Sequence, residues 1–490
     1  MDKLMELLKY DEANPLLFNT GLFLLLFVVF LGVYRILERN TRVKMLFVIA
    51  FSLYFYYKSS AEYCFILLGV CVMDYVLGGL MDRFKPKGVG QKLLITLNVL
   101  INVGMLVWFK YFNLLLETFA NFANRDFDPF DIVLPAGISF FTFRSISYMV
   151  DIYRGHIKPC NDFMAYTFYL TFFPPLLAGP VVRARDFLPQ IQESTVATRA
   201  QVSEGLFLIM CGLVKKVIVA DYLSQNFVDR VFDNPALYSG FENMLAVYGF
   251  TIQLYCDFSG YSDMAIGIAL LMGFRFFDNF KAPFKAQSPT EFWHRWHISL
   301  STWLRDYIYI PLGGNRKGPK RAHANQMATM VIGGLWHGAS WMYVIWGAWN
   351  GLLLVLHKDL KQRFPRLASF GDGWGWRRVV NIFITFNLMA FGFMFFRSRS
   401  MEHVGAMTDQ ILHNFHLNVA AQFVEGYLMI VVLMAGALLL HFLPTSWSEA
   451  TRERYNRLGT VAQAIILAIV LMLCIQFRSA DLVPFIYLQY

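Results

Sequence analysis

Apolar residues run through this chain in long blocks, separated by short polar stretches. A helix that crosses a bilayer needs about 20 predominantly apolar residues. Blocks of that kind fall at roughly 16–36, 44–58, 62–81, 93–116, 132–152, 205–223, 243–273, 324–341, 342–358, 379–396, 427–443 and 460–477. Two further stretches, about 163–182 and 292–312, are apolar but interrupted. Such segments suit re-entrant elements, which membranes tolerate only where they are buried in protein or line a cavity. The pattern predicts an all-α polytopic membrane protein with about 11–12 transmembrane helices and two re-entrant pieces. No internal repeat, low-complexity tract or linker interrupts it. The expectation is one membrane domain over residues 1–490, with its chemistry concentrated in about 132–358.

Composition supports lipid as the solvent. Of the 490 residues, 57% are hydrophobic and 16% charged, against about 25% charged in soluble domains. The net charge of +9 raises nucleic acid as a partner. The basic residues, however, sit in short loops between apolar runs, as positive-inside topology requires, so nucleic acid is set aside and the partner is the bilayer. Six cysteines are scattered without CxxC or Cys/His spacing, which points to neither a disulfide framework nor a zinc site. The amphipathic start, MDKLMELLKYDEANP, has no A-x-A cleavage signal behind it, so 16–36 is expected as a retained first helix.

Loop charges assign the sides. Arg35, Arg39, Arg42 and Lys44, then Arg83, Lys85, Lys87 and Lys92, mark cytoplasmic loops, whereas Asp126, Asp128 and Asp131 fall outside. The basic stretches Arg316–Arg321, Lys358–Arg366 and Arg452–Arg457 all count as inside, and both termini come out extracytoplasmic. Two places resist the count: Lys215–Lys216 lies within a span, and Arg397–Arg399 is basic yet outside.

Ionisable residues within hydrocarbon are costly, and each is a functional-site hypothesis. They concentrate between Glu291 and Gly351, where EFWHRWHISLSTWLRDYIYIPLGGNRKG is followed by GGLWHGASWMYVIWGAWNG. In the second stretch, Gly334 and Gly338 permit close helix approach, and between them His337 stands beside Trp336, which can wall off water. A buried imidazole is held in its neutral, base-competent form. A lone histidine on an apolar helix is as readily a satisfied bundle residue, but a second histidine-bearing segment shortly upstream favours a catalyst.

In that upstream segment His294 and His297 are three apart, which on a helix makes them neighbours, but no third ligand has metal-site spacing. Trp293 and Trp296 interleave with them and are candidates to line a substrate tunnel. Arg305 and Asp306 are adjacent, face differently on a helix, and are expected to pair with other segments. The loop GGNRKGPKRAHAN is either a positive-inside anchor or, through its amides with Arg316 and Lys317, a cradle for a phosphate-bearing donor. Further upstream, QLYCDFSGYSDMAIG places Asp257, Ser259 and Asp263 in a span, suited either to interhelical bonding or to cation coupling and proton relay. Arg144, in PAGISFFTFRSISYMVDIYRG, packs against a helix end or carboxylate, or faces an aqueous cavity. FFPPLLAGPVVR must break its helix at Pro174 and Pro175.

PAGISFFTF, FFPPLLAGPVVR, DFSGYSDMAIGIALLMGF, FWHRWHISLSTWLRDYIYIPLGGNR and GGLWHGASWMYVIWGAWNG occur in this order over most of the chain. Together they resemble the membrane-bound O-acyltransferase family, in its bacterial branch, nearest the alginate-acetylating subgroup. The resemblance implies His337 as the catalytic histidine and His297 as a second active-site histidine. It implies a ring of helices around a thinned centre, where a cytoplasmic passage meets an outer funnel. It also implies a bacterial inner-membrane enzyme with no tightly bound cofactor. The donor would be a cytoplasmic thioester, acetyl-CoA or an acyl carrier protein. The partners would be an extracytoplasmic acyl-transfer protein and an exported polysaccharide. A transporter or flippase for a lipid-linked sugar, with 174–180 and 253–263 lining its path, is the alternative without covalent chemistry.

Overall fold

Each apolar block marked in the sequence is helical in the computed structural model, which describes residues 8–11, 15–193, 196–364, 375–478 and 484–486. No strand occurs among the described residues. Most of the amphipathic start and the last residues of the expected 358–366 loop lie outside them. The first part of that loop is helical, because Trp341–Arg363 continues through Lys358 and Lys361.

Five helical stretches are long and apolar enough to cross a membrane: Gly21–Arg39, Thr41–Met81, Val89–Phe122, Trp376–Arg397 and Thr460–Phe477. Leu417–Gly426 and Leu428–Phe442, bent by 97°, make a sixth if taken as one span. The other expected spans are helices too, including Ile138–Arg154, Gly240–Leu271 and Pro319–His337. Their polar residues lower their hydropathy because those side chains face protein rather than lipid. Within Ile138–Arg154, for instance, Ser139, Thr142, Arg144, Ser145, Ser147 and Asp151 are all buried.

The helices begin where short polar side chains can cap them. Thr20 accepts from Phe23 N, Asn40 from Val43 N, Asp162 from Met164 N and Ser340 from Met342 N. The chain forms two compact units, residues 1–206 with 264–277, and residues 207–263 with 278–486.

In the first unit the interrupted stretch 163–182 behaves as its prolines require. The helix Phe163–Thr171 stops, the chain runs non-helically through Pro174 and Pro175, and Ala184–Gln192 resumes. Phe172 packs against Phe168, Phe187, Phe274 and Phe276. Phe173 instead enters a cluster of Phe23, Phe27, Phe30, Phe51 and Phe55. The break thus serves two aromatic clusters at once. Gly137 (φ +71°) rests against this turn, and a Cβ there would lie 2.6 Å from the Leu176 carbonyl oxygen. Arg144 is buried and reaches the Tyr169 carbonyl, near the end of Phe163–Thr171, at 3.5 Å.

A polar knot ties this unit together. The Asp74 carboxylate accepts from Asn98 Nδ2 at 2.7 Å, Ser145 Oγ at 2.7 Å and Tyr166 OH at 2.6 Å, so four helices meet on one buried side chain. Asn102 Nδ2 adds a bond to Ser145 Oγ at 2.9 Å. A buried donor deprived of its acceptor costs about 1–3 kcal/mol. Asp74→Ala is therefore expected to lower the thermal unfolding midpoint in detergent markedly, and Asp74→Asn by much less. Equal midpoints for all three proteins would contradict this.

Candidate active site

The site lies in the second unit, on two breaks in helices. Pro319–His337 ends at His337, Gly338 is extended, and the Ser340 cap starts Trp341–Arg363. The resulting hairpin is tight because glycines face each other across it. A Cβ on Gly334 would sit 2.9 Å from Gly347 Cα and closer still to the Tyr343 carbonyl oxygen. His337 is buried at the hairpin's tip. Its ring centroid lies 5.0 Å from Trp336, 5.0 Å from Trp346 and 5.3 Å from Phe396.

The second break separates His294 from His297. The sequence reads as one helix through both, but Pro289–Arg295 stops before Trp296, and His297 takes the left-handed conformation (φ 42°, ψ 55°) that precedes Ile298–Leu304. The two histidines consequently do not share a helix face: His294 is exposed and His297 fully buried. A left-handed non-glycine residue costs on the order of 1–3 kcal/mol and persists where its surroundings hold it. Here the holder is Asn279, in the loop after Gly240–Leu271. Its backbone oxygen accepts from Ile298 N at 2.9 Å, and its side-chain oxygen accepts from Ser299 N at 3.1 Å and Ser299 Oγ at 2.8 Å. His297 Nδ1 lies 3.2 Å from that same oxygen.

Trp336 is in contact with both histidines, its ring 5.0 Å from His337 and 6.2 Å from His297. Phe258 presents its edge to His297 at 4.5 Å. Trp293 packs edge-on to Trp346, and Trp296 against Phe280 and Phe393. Aromatic rings therefore pack against both imidazoles.

The carboxylates behind this cluster are engaged in ion pairs. Asp257 meets Lys216 Nζ at 2.5 Å, Asp221 meets the same nitrogen at 2.8 Å, and Asp263 meets Lys215 at 2.7 Å. Asp257 also accepts from Ile486 N at 2.9 Å, while Phe485 lies under Lys216, so a C-terminal segment packs here. Ser259 is buried one turn from Asp263. These pairings account for the two places that resisted the charge count. Lys216 neutralises buried carboxylates and Lys215 the partly buried Asp263, and Arg397 and Arg399 bond Asp229 and Asp233 at 2.8 and 3.3 Å. A charge paired internally carries no vote on which side a loop faces.

Arg305 and Asp306 differ from expectation. They pair with each other at 2.8 Å, the long guanidinium arm curling back over the wide helical turn at Arg305–Tyr309. In the basic loop, Gly313 N and Gly314 N bond the Ile310 and Tyr309 carbonyls of the preceding turn, Arg316 N bonds the Gly313 carbonyl, and Arg316 Nη2 bonds the Ile310 carbonyl at 3.2 Å. Lys317 is exposed. A cleft of about 400 Å³ in the first unit, lined in part by Lys158, Arg185 and Gln192, contains neither histidine.

Comparison with known proteins resolves what this arrangement belongs to. The model of the membrane-bound O-acyltransferase family matches residues 154–399. A probable alginate O-acetylase AlgI of Pseudomonas syringae is 40% identical over 403 residues, 80% of this chain and 74% of that protein. The chain belongs to the membrane-bound O-acyltransferase family. It is a multi-pass membrane O-acyltransferase. The AlgI of Pseudomonas putida is 36% identical over 97% of this chain and 100% of its own length. The peptidoglycan O-acetyltransferase of Helicobacter pylori is 33% identical over 79% of this chain and 78% of its own. The matched family region contains His297, His337 and Asn279.

Sequence reasoning missed Asn279, Ser299 and the lysine partners of Asp257 and Asp263. One signal could have found Asn279: a polar residue in the short loop joining two motif-bearing segments, four residues before Pro283.

Proposed function

We propose that this chain moves an acetyl group from a cytoplasmic thioester to a hydroxyl on the outer side of a bacterial inner membrane, with His337 as general base. The observation that carries this reading is the pair of buried histidines flanking Trp336 in a chain of this family. In the step, a ring nitrogen of His337 takes the proton of the acceptor hydroxyl as its oxygen attacks the thioester carbonyl. A C–O bond forms, the C–S bond breaks, and the thiolate leaves and takes up a proton. Trp336, Trp346 and Phe396 keep water, the competing nucleophile, from the reacting carbonyl. His297, also in contact with Trp336, contacts the donor.

Relatives named for alginate and peptidoglycan acetylation support an exported polysaccharide as the final acceptor, reached through an extracytoplasmic partner protein. The donor is acetyl-CoA or an acyl carrier protein, bound as a substrate. Basic loops, Arg316 and Lys317 among them, are assigned to the cytoplasmic side by the positive-inside rule, and both termini to the other.

Sidedness is the test. Proteoliposomes that enclose acetyl-labelled acetyl-CoA, with envelope polysaccharide and the partner protein outside, are expected to yield labelled ester outside. Label appearing only when donor and acceptor share one compartment would contradict transfer across the membrane.

A further inference from the structure

The bonds around Asn279 settle more than the backbone of His297. One atom of the Asn279 amide lies 3.1 Å from the backbone nitrogen of Ser299, which can only donate, so that atom is the carbonyl oxygen. Its amide nitrogen is then placed to donate to Ser262 Oγ, at 3.1 Å. His297 Nδ1 lies 3.2 Å from the same oxygen. A nitrogen facing a pure acceptor must carry the hydrogen, and in a neutral imidazole the other nitrogen then carries the lone pair.

We propose that Asn279 is the positioning residue of the active site: it holds His297 as the Nδ1–H tautomer, so that Nε2 accepts a hydrogen bond during acyl transfer. This rests on the reading of His297 as a donor-side residue and gives that residue a chemical role. His297 accepts a hydrogen bond from an amide N–H of the donor rather than polarising the carbonyl by donation.

Rings against His297 include Phe258, Phe280 and Trp336, and Trp336 also touches His337. Charged groups on the neighbouring elements have partners of their own: Lys215 with Asp263, Lys216 with Asp257 and Asp221, Arg295 with Glu291, Lys281 with Asp278, Arg305 with Asp306, and Lys285 with the Leu443 carbonyl, while His441 accepts from Phe284 N and His294 is exposed. The left-handed backbone of His297 adds the geometric reason. It lets the residue's own ring and the next two amides, Ile298 and Ser299, all turn toward Asn279.

The direct test is the nitrogen-15 spectrum of histidine-labelled protein in bilayers, with His297 assigned by loss of its signals in His297→Asn. The expected spectrum has Nδ1 protonated and Nε2 bare. A protonated Nε2 with bare Nδ1 would overturn the proposal without any reference to activity. In kinetics, Asn279→Leu should lower kcat by about 10- to 100-fold, the usual effect of losing an orienting partner. Asn279→Asp keeps the acceptor oxygen and should restore most of that loss. It should also move the acid limb of the pH–kcat profile upward, because a carboxylate favours the protonated imidazole. Equal loss in the two variants, or an unmoved acid limb in Asn279→Asp, would overturn the role of Asn279. Full activity in His297→Asn would instead overturn the donor-side reading of His297, whatever the tautomer.

Discussion

Replacing His337 with alanine is expected to abolish acyl transfer while leaving the protein folded and at normal abundance in the membrane. Removing a general base typically costs 10²- to 10⁴-fold. The fold should survive because His337 is the last residue of its helix, and the hairpin is held by the Gly334–Gly347 contact and the Ser340 cap. Of its neighbours, Trp346 and Phe396 pack on each other as well as on the imidazole. The measurement is labelled-acetyl transfer by membranes matched for protein level. His294→Ala serves as a companion, since that exposed side chain should lower activity little.

The second large effect is expected at Lys216. Its ammonium is fully buried between Asp257 and Asp221, and Lys216→Met would leave both carboxylates without their counter-charge. Breaking a buried pair from one side costs about 3–5 kcal/mol, whereas replacing both partners by neutral groups costs much less. Lys216→Met should therefore unfold at a markedly lower temperature than the natural protein. Adding Asp257→Asn should recover part of the loss, and the non-additivity is the signature of the pair. Lys215→Met should cost less, because the Lys215–Asp263 pair is partly exposed. Activity should fall with stability in Lys216→Met, since the residue after Asp257, Phe258, carries the edge contact to His297.

The helices were legible because in lipid every backbone group must be satisfied within its own segment, so apolar length marks a helix by itself. The prolines at 174 and 175 were legible for the same reason in reverse. His337 was legible because glycines and tryptophans crowd a single imidazole within a few residues. The break at His297 was not. Residues 291–304 carry a continuous helical pattern, and the left-handed turn comes from Asn279, a loop residue 18 positions upstream. Lys216 and Asp257 are 41 positions apart, and nothing in a single sequence says which buried carboxylate a buried lysine will meet. Arg305 and Asp306 show a third limit. Ideal helical geometry turns adjacent side chains apart, and a wide turn with a long arginine arm overrides it.

The central claim is that this chain breaks a thioester and that His337 is required to do so. It is tested most directly by following the C–S bond in purified protein reconstituted with acetyl-CoA, an envelope polysaccharide acceptor and the partner protein. The natural chain should release free thiol in step with new hydroxyl ester, and His337→Ala should do neither. An intact thioester accompanied by movement of sugar across the membrane, or thiol release undiminished in His337→Ala, would contradict the account.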